Sequence, residues 1–115
     1  MARYTCSFVI AVPLERLHPL LIEVLKSCNL DIIYDTADYL MAREVPGKVA
    51  FAKLVTVEVL IDKTTATEQE VRMNLVIKNE ELPLQVINHC QQVFDTVHQA
   101  IAENRHWHLV EIVAG

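Results

Sequence analysis

A long stretch of alternating apolar residues, from Phe51 to Lys78, constrains the fold more than any other part of the sequence. Both arms of this stretch repeat an apolar side chain at every second position, and only Lys53 interrupts the pattern. The apolar positions are Phe51, Val55, Val57, Val59 and Ile61 in the first arm and Val71, Met73, Leu75 and Ile77 in the second. Successive side chains of a strand point to opposite faces, so each arm predicts a strand with one buried face. The segment 62–69 between them is polar and lacks glycine, which predicts a hairpin with a loop of several residues.

Length and charge narrow the class of protein. A chain of 115 residues predicts one domain, over residues 1–115. The net charge of −5 disfavours nucleic acid and anionic membrane surfaces as partners, and no apolar run reaches the ~18 residues of a membrane-spanning helix. Cys6, Cys28 and Cys90 lack metal-ligand spacing and no signal-peptide pattern precedes them, so we expect reduced thiols and a cytoplasmic location.

The first quarter of the chain predicts a strand followed by a helix. Residues 3–12 alternate as a strand, and Pro13 ends the strand at a position where a helix can begin. Apolar residues then recur at helical spacing from Leu14 to Cys28. Pro19 lies inside this stretch, which therefore predicts either two short helices or one kinked helix.

The remaining segments add strands around the hairpin and a second helix. Segments 32–35 and 39–45 predict two short strands before the hairpin. The acidic segment Asn79–Pro83 is typical of a helix start, and the apolar spacing that follows predicts an amphipathic helix over residues 85–104. Residues 107–113 predict a final strand. The predicted order is β-α-β-β-β-β-α-β, an α+β arrangement of two layers with an antiparallel sheet.

This order resembles that of the helix-grip proteins, which include START domains, the birch-pollen allergen family and polyketide cyclases, and that of the TATA-box-binding-protein-like fold. The resemblance rests on the strand–proline–helix segment Phe8–Leu17, the long hairpin and the helix over residues 85–104. It implies a long C-terminal helix packed on the sheet. For a helix-grip protein it also implies a cavity that binds a small hydrophobic ligand or lipid, or that holds a cyclase-like active site.

Four residues are candidates for contact with such a ligand. Tyr34, Tyr39 and Arg43 lie at or near the ends of the two short arms and would rim the mouth of a cleft. Alternatively, they belong to the hairpin surface, with the tyrosines packed at the sheet margin. Lys53 interrupts an apolar strand face, so it either extends its ammonium group past the sheet end or pairs with a carboxylate inside a cleft.

Two histidines are candidates for a metal site. His106 and His108 flank Trp107, and on a strand both imidazoles would share one face, with His98 or Glu111 as a third ligand. The alternative is a solvated strand edge. Nothing in the sequence predicts a cofactor.

The second face of the hairpin is only half polar, which points to self-association. Leu54, Leu60 and Val76 fall on this face, where a fully solvated sheet would carry a cleaner polar set. Isolated surface leucines are the alternative. No pair of carboxylates or acid–base dyad has useful spacing, so we expect no enzyme. The sequence thus favours a non-enzymatic interaction protein that forms a homodimer. The alternatives are a helix-grip module with a small hydrophobic ligand and a cyclase-like enzyme.

Overall fold

The computed structural model of the protein describes residues 1–81 and 88–114. These residues form one antiparallel sheet of six strands and two α-helices, which confirms the α+β class. The strands are β1 (Ala2–Ala11), β2 (Leu30–Asp35), β3 (Tyr39–Glu44), β4 (Thr56–Asp62), β5 (Val71–Asn79) and β6 (His108–Ala114), and the helices are α1 (Leu14–Ser27) and α2 (His89–Ala102). The order across the sheet is β2-β3-β4-β5-β1-β6, so β2 and β6 form its edges.

The two helices cover one face of the sheet. Alternate residues of β1, β4 and β5 are fully buried on this face, where Phe8 lies directly opposite Met73 and Ile10 opposite Val71. Each helix adds an apolar stripe; the buried residues are Leu17, Leu21, Val24 and Leu25 in α1 and Cys90, Val97 and Ile101 in α2. The apolar residues that repeat every second position in the strands and those at helical spacing in the helices therefore pack into a single core.

The first arm of the long hairpin is shorter than its alternation predicts. Phe51–Lys53 forms a 3₁₀ turn rather than strand, and Phe51 is 84% exposed instead of facing the core. The backbone amides of Lys53 and Leu54 bond locally, to the carbonyls of Ala50 and Phe51. These amides are therefore unavailable for a strand ladder. Lys53 consequently interrupts no strand face, and the strand prediction was wrong for this segment.

Pro19 does not break α1. The helix runs unbroken from Leu14 to Ser27 with Pro19 in its second turn. Proline removes the hydrogen bond that would reach the carbonyl of Glu15, but both residues are exposed, so water can satisfy that carbonyl.

The last helix and strand have different bounds from those predicted. Residues 85–87 of the predicted helix lie outside the described residues, and Asn88 is an extended cap that places the helix start at His89. The final strand begins at His108 because the buried Trp107 is held to the end of α2, where its Nε1 donates to the Ile101 carbonyl at 2.9 Å.

Candidate functional site

The face of the sheet opposite the helices, here called the open face, gathers residues that the sequence assigned to two different sites. Directly paired residues share a face, and the register pairs Tyr34 with Met41 and Tyr39 with Leu60. The rings of Tyr34 and Tyr39 lie edge to face with their centroids 5.7 Å apart. We call these four residues the tyrosine patch. The two tyrosines, predicted to rim a ligand cleft, thus lie beside Leu60, predicted to form an interface.

The tyrosine patch presents apolar surface beside an ion pair. Tyr34 is 55% and Leu60 45% exposed, whereas Tyr39 and Met41 are half-buried. Lys78 Nζ lies 2.9 Å from Glu58 Oε1 at the margin of the patch. The pKa of Tyr39 is raised by burial and then by the charge and hydrogen bond of Glu58, which keeps its hydroxyl protonated. Protonated tyrosine and methionine side chains are enriched at protein–protein interfaces.

The open face is electrically neutral although the chain is acidic. By register it carries four acidic and four basic side chains: Asp31, Glu58, Asp62 and Glu111, and Arg3, Arg43, Arg72 and Lys78. The excess negative charge of the chain, −5, therefore lies elsewhere.

Three other residues that were predicted to contact a ligand or a second copy, Arg43, Leu54 and Val76, lie in different surroundings. Arg43 lies on the open face and, with Leu54, lines an open cleft of about 430 Å³ beside the exposed Phe51. Leu54 follows the 3₁₀ turn and lies outside β4, but it lines this cleft together with Arg43 and Thr56 of the open face. Val76 lies on the open face but is only 9% exposed, since Thr5 and Glu58 flank it.

The structure does not place the two histidines proposed as metal ligands on one strand. His106 lies in the turn before β6 and His108 is the first residue of that strand, so they do not share a strand face as predicted. Within residues 1–81 and 88–114, no three His, Cys, Asp or Glu side chains are grouped to hold a metal ion.

The edge strand β6 is the second exposed apolar surface. Val110, Ile112 and Val113 are between 39% and 50% exposed along it. The opposite edge, β2, carries Asp31 and a register irregularity between Ile32 and Tyr34. Charges and bulges of this kind disfavour pairing with another strand. The β1–β6 pairing has an irregularity of its own, between Val9 and Ile10, but β6 has only one acidic residue for seven positions.

A buried carboxylate and a histidine form a pair on the helix side of the sheet. His89 Nε2 lies 2.7 and 2.8 Å from the two carboxylate oxygens of Glu44, and Glu44 is 5% exposed. The Val55 amide also donates to Glu44, at 3.2 Å. The pair joins the end of β3 to the first turn of α2.

Sequence reasoning missed this pairing, because the two residues lie 45 positions apart. One signal was present. Glu44 continues the buried face of Leu40 and Ala42 at every second position, and a carboxylate on such a face needs a partner.

A second buried carboxylate, Glu81, caps the start of α2. It accepts the backbone amides of His89 at 3.2 Å and Cys90 at 2.9 Å, together with the Asn79 amide group at 2.5 Å. Asn88 accepts the next amide, that of Gln91, at 3.1 Å. The first three amides of the helix are thus satisfied within the protein, and this helix end has no free donors for a ligand.

The Glu44–His89 pair opens into a small cleft of about 210 Å³. Its other lining residues are Cys28, Asn29, Lys48, Gln92, Val93 and Thr96. Burial raises the pKa of Cys28, partly offset by a contact with the Ser27 hydroxyl, so this thiol is not an activated nucleophile. The cleft therefore offers polar contacts rather than a reactive group.

Comparison with known proteins assigns no family: no family model matches the sequence, and no curated protein matches it. Neither helix of the described segments has the length and apolar character needed to cross a membrane.

Proposed function

We propose that this chain is a non-enzymatic interaction protein that forms a two-fold homodimer through its open face. The observation that carries the proposal is that helices cover one face of the sheet, while the other face presents the tyrosine patch. Packing two open faces together would bury both patches and leave the helices outside, as in face-to-face sheet packing.

Charge and size favour a second copy as the partner. Four acidic and four basic side chains make the open face neutral, so two acidic chains can meet there without an excess of like charges at the contact. Neighbouring strands lie about 4.8 Å apart, and each has about seven residues with a rise of about 3.3 Å per residue. The six strands together therefore make a face of roughly 550 Å² in projection. Its accessible area is larger because side chains corrugate it, and so is of the order of the ~800 Å² per partner of a stable interface.

Two alternatives receive less support from the described residues. A helix-grip module for a hydrophobic ligand needs an apolar cavity between the last helix and the sheet. In the described part of the chain this layer is filled by fully buried side chains, among them Phe8, Leu75 and Ile101. An enzyme of the cyclase type needs converging free acid–base groups, whereas Glu44 is hydrogen-bonded to His89 and to the Val55 amide, and Glu81 caps a helix. We also propose a reducing, cytoplasmic location, because the three cysteines are free thiols.

Light scattering coupled to size-exclusion chromatography tests the dimer. We expect a mass of twice the 13.1 kDa chain for the wild type. Leu60→Glu adds a charge to the β4 side of the tyrosine patch and should give a folded monomer, because Leu60 is 45% exposed and its replacement leaves the core intact. Circular dichroism checks the fold of each variant.

Val110→Glu is the matched control, since it places the same charge on an equally exposed apolar residue of the β6 edge. It should remain dimeric if the open face is the interface. A dimer lost in Val110→Glu but kept in Leu60→Glu would assign the contact to the β6 edge and would contradict the proposal. A monomeric wild type would contradict self-association altogether.

A further inference from the structure

The open face of the sheet is divided into an aromatic half and a polar half. The aromatic half, on β2, β3 and β4, contains the whole tyrosine patch. On β5 and β1, which form the polar half, charged and hydrogen-bonding side chains predominate: Arg72, Asn74 and Lys78, and Arg3, Thr5 and Ser7. Ser7 Oγ donates to Asn74 Oδ1 at 2.6 Å, so part of the polar half is already paired within the chain. This division limits how two copies of the face can pack together.

The aromatic half continues past the tyrosine patch to a second exposed apolar site at the opposite end of β4. Phe51, which is 84% exposed, and Leu54 precede the first residue of β4, whereas Leu60 lies toward the other end of that strand. Both line a cleft with Arg43 and Thr56, which are directly paired on the open face. We call Phe51 and Leu54 the Phe51 corner.

Hydrogen bonds hold the backbone of the Phe51 corner in place. The Lys53 amide donates to the Ala50 carbonyl at 2.8 Å, and the Leu54 amide donates to the Phe51 carbonyl at 3.2 Å. Asn79 Nδ2 donates to the Lys53 carbonyl at 3.0 Å, and Asn79 is only 5% exposed. The turn is thus tied to the buried end of β5. An aromatic ring on a fixed turn loses little conformational entropy when a partner covers it.

The polarity of the two halves selects one orientation of the proposed two-fold homodimer. Aligned packing of two sheets allows the axis to run along the strands or across them. An axis along the strands that overlaps all six of them passes between β4 and β5, and it places β3 with its tyrosine on the polar β1 of the partner. Shifting that axis to lie between β3 and β4 overlaps only four strands, which leaves less area than the ~800 Å² per partner of a stable interface. An axis across the strands places every strand on its own copy, so aromatic half meets aromatic half over the full face.

We propose that the axis runs across the strands and that Phe51 of each copy packs on the tyrosine patch of its partner. Such an axis reverses the strand direction between the copies, so the beginning of β4 lies over the end of the partner's β4. The Phe51 corner then covers the partner's Leu60 and the partner's Tyr39, and the symmetry makes this contact twice. Aromatic rings packed on tyrosine and methionine side chains are typical of the buried centre of an interface. This inference rests on the proposed function and adds the residue that completes each patch.

Sedimentation equilibrium of Phe51→Ala tests the contribution of the ring. Phe51 is 84% exposed, so its replacement leaves the core intact. Both copies lose the ring at once, and we expect the dissociation constant of the dimer to rise by at least about 100-fold. Ile112→Ala is the matched control, because Ile112 is a 39% exposed apolar residue that lies opposite Phe8 on the helix side of the sheet. It should leave the dissociation constant within about twofold of the wild-type value.

Nuclear Overhauser effects between the two copies test the orientation directly. One copy carries ¹³C-labelled leucine and methionine methyl groups and is mixed with a copy that is protonated only at phenylalanine. Phe8 and Phe94 belong to the helix side, so contacts across the open face come from the Phe51 ring. We expect contacts from this ring to the Leu60 and Met41 methyl groups of the labelled copy. Contacts to the Leu54 methyl groups instead would bring the same ends of both sheets together and would overturn the proposed axis.

The outcomes separate this inference from the proposed function. A monomeric wild type, or a Leu60→Glu variant that remains dimeric, would contradict the open-face dimer and this inference with it. A dimer that requires Leu60 but keeps its affinity in Phe51→Ala would contradict this inference alone. An equal loss of affinity in Ile112→Ala would likewise show that the effect does not arise from the Phe51 contact.

Discussion

Replacement of Glu81 tests how the structure holds the start of α2. The Glu81 side chain is buried and accepts the backbone amides of His89 and Cys90. Glu81→Ala leaves both amides without an acceptor, and each buried orphan donor costs about 1–3 kcal/mol. We therefore expect the free energy of unfolding to fall by about 3 kcal/mol. For a domain of this size that corresponds to roughly 10–15 °C in Tm.

The pH dependence of this effect distinguishes a charged cap from simple packing. Burial alone would raise the pKa of Glu81, but hydrogen bonds from Asn79, Cys90 and His89, with the charge of Lys53, lower it below its usual value. The stability that ionised Glu81 contributes is complete above its unfolded pKa of about 4.3, and it disappears as the pH falls through the lower folded value.

Urea unfolding of the wild type, Glu81→Ala and Glu81→Gln, followed by circular dichroism, measures both effects. The stability difference between wild type and Glu81→Gln should be largest at pH 7 and should shrink as the solution becomes more acidic. Glu80→Gln is the matched control, because Glu80 is exposed and adjacent, and it should change stability by less than about 0.5 kcal/mol. A Glu81→Ala variant as stable as the wild type, or a difference that grows in acid, would refute this account of the cap.

Three further predictions follow from individual contacts. Asn29 has a positive φ of 65° after α1, so Asn29→Ala should lose about 1 kcal/mol in urea unfolding whereas Asn29→Gly should not. Hydrogen bonds, led by that from the Thr64 hydroxyl, hold the pKa of Asp62 at about 2. Thr64→Val should move this pKa toward the ordinary value, as measured by an NMR titration. An unchanged midpoint would exclude the Thr64 hydrogen bond as the cause. Burial, with the charges of Glu81 and Glu44, raises the pKa of Cys90 to about 12. Iodoacetamide at pH 8 should therefore label the half-buried Cys28 in the native protein but Cys90 only after unfolding. Equal labelling rates of the two cysteines, measured by mass spectrometry, would contradict the burial of Cys90.

Side-chain periodicity predicted the elements that bury one face against the other layer of the fold. The alternation of 3–12 and 71–77 located β1 and β5, and helical spacing located α1. Alternation failed at Phe51. This apolar residue continues the alternating pattern of the strand, but its backbone forms a local 3₁₀ turn, which side-chain alternation does not reveal.

The candidate sites were harder to predict because they join distant segments. Tyr34, Tyr39 and Leu60 were each selected from the sequence, but only the pairing of β3 with β2 and β4 places them in one patch. The contact of Glu44 with His89 spans 45 positions and follows no local pattern. Side-chain periodicity describes faces, whereas sites of this kind depend on which strands and helix ends are neighbours.

The most direct test of the proposed dimer is sedimentation equilibrium of the wild-type chain over a range of concentrations. We expect a mass of twice 13.1 kDa at about 10 μM, with dissociation only on dilution. A mass of 13.1 kDa that persists at about 100 μM would mean that the open face does not bind a second copy under these conditions, and would contradict the central claim.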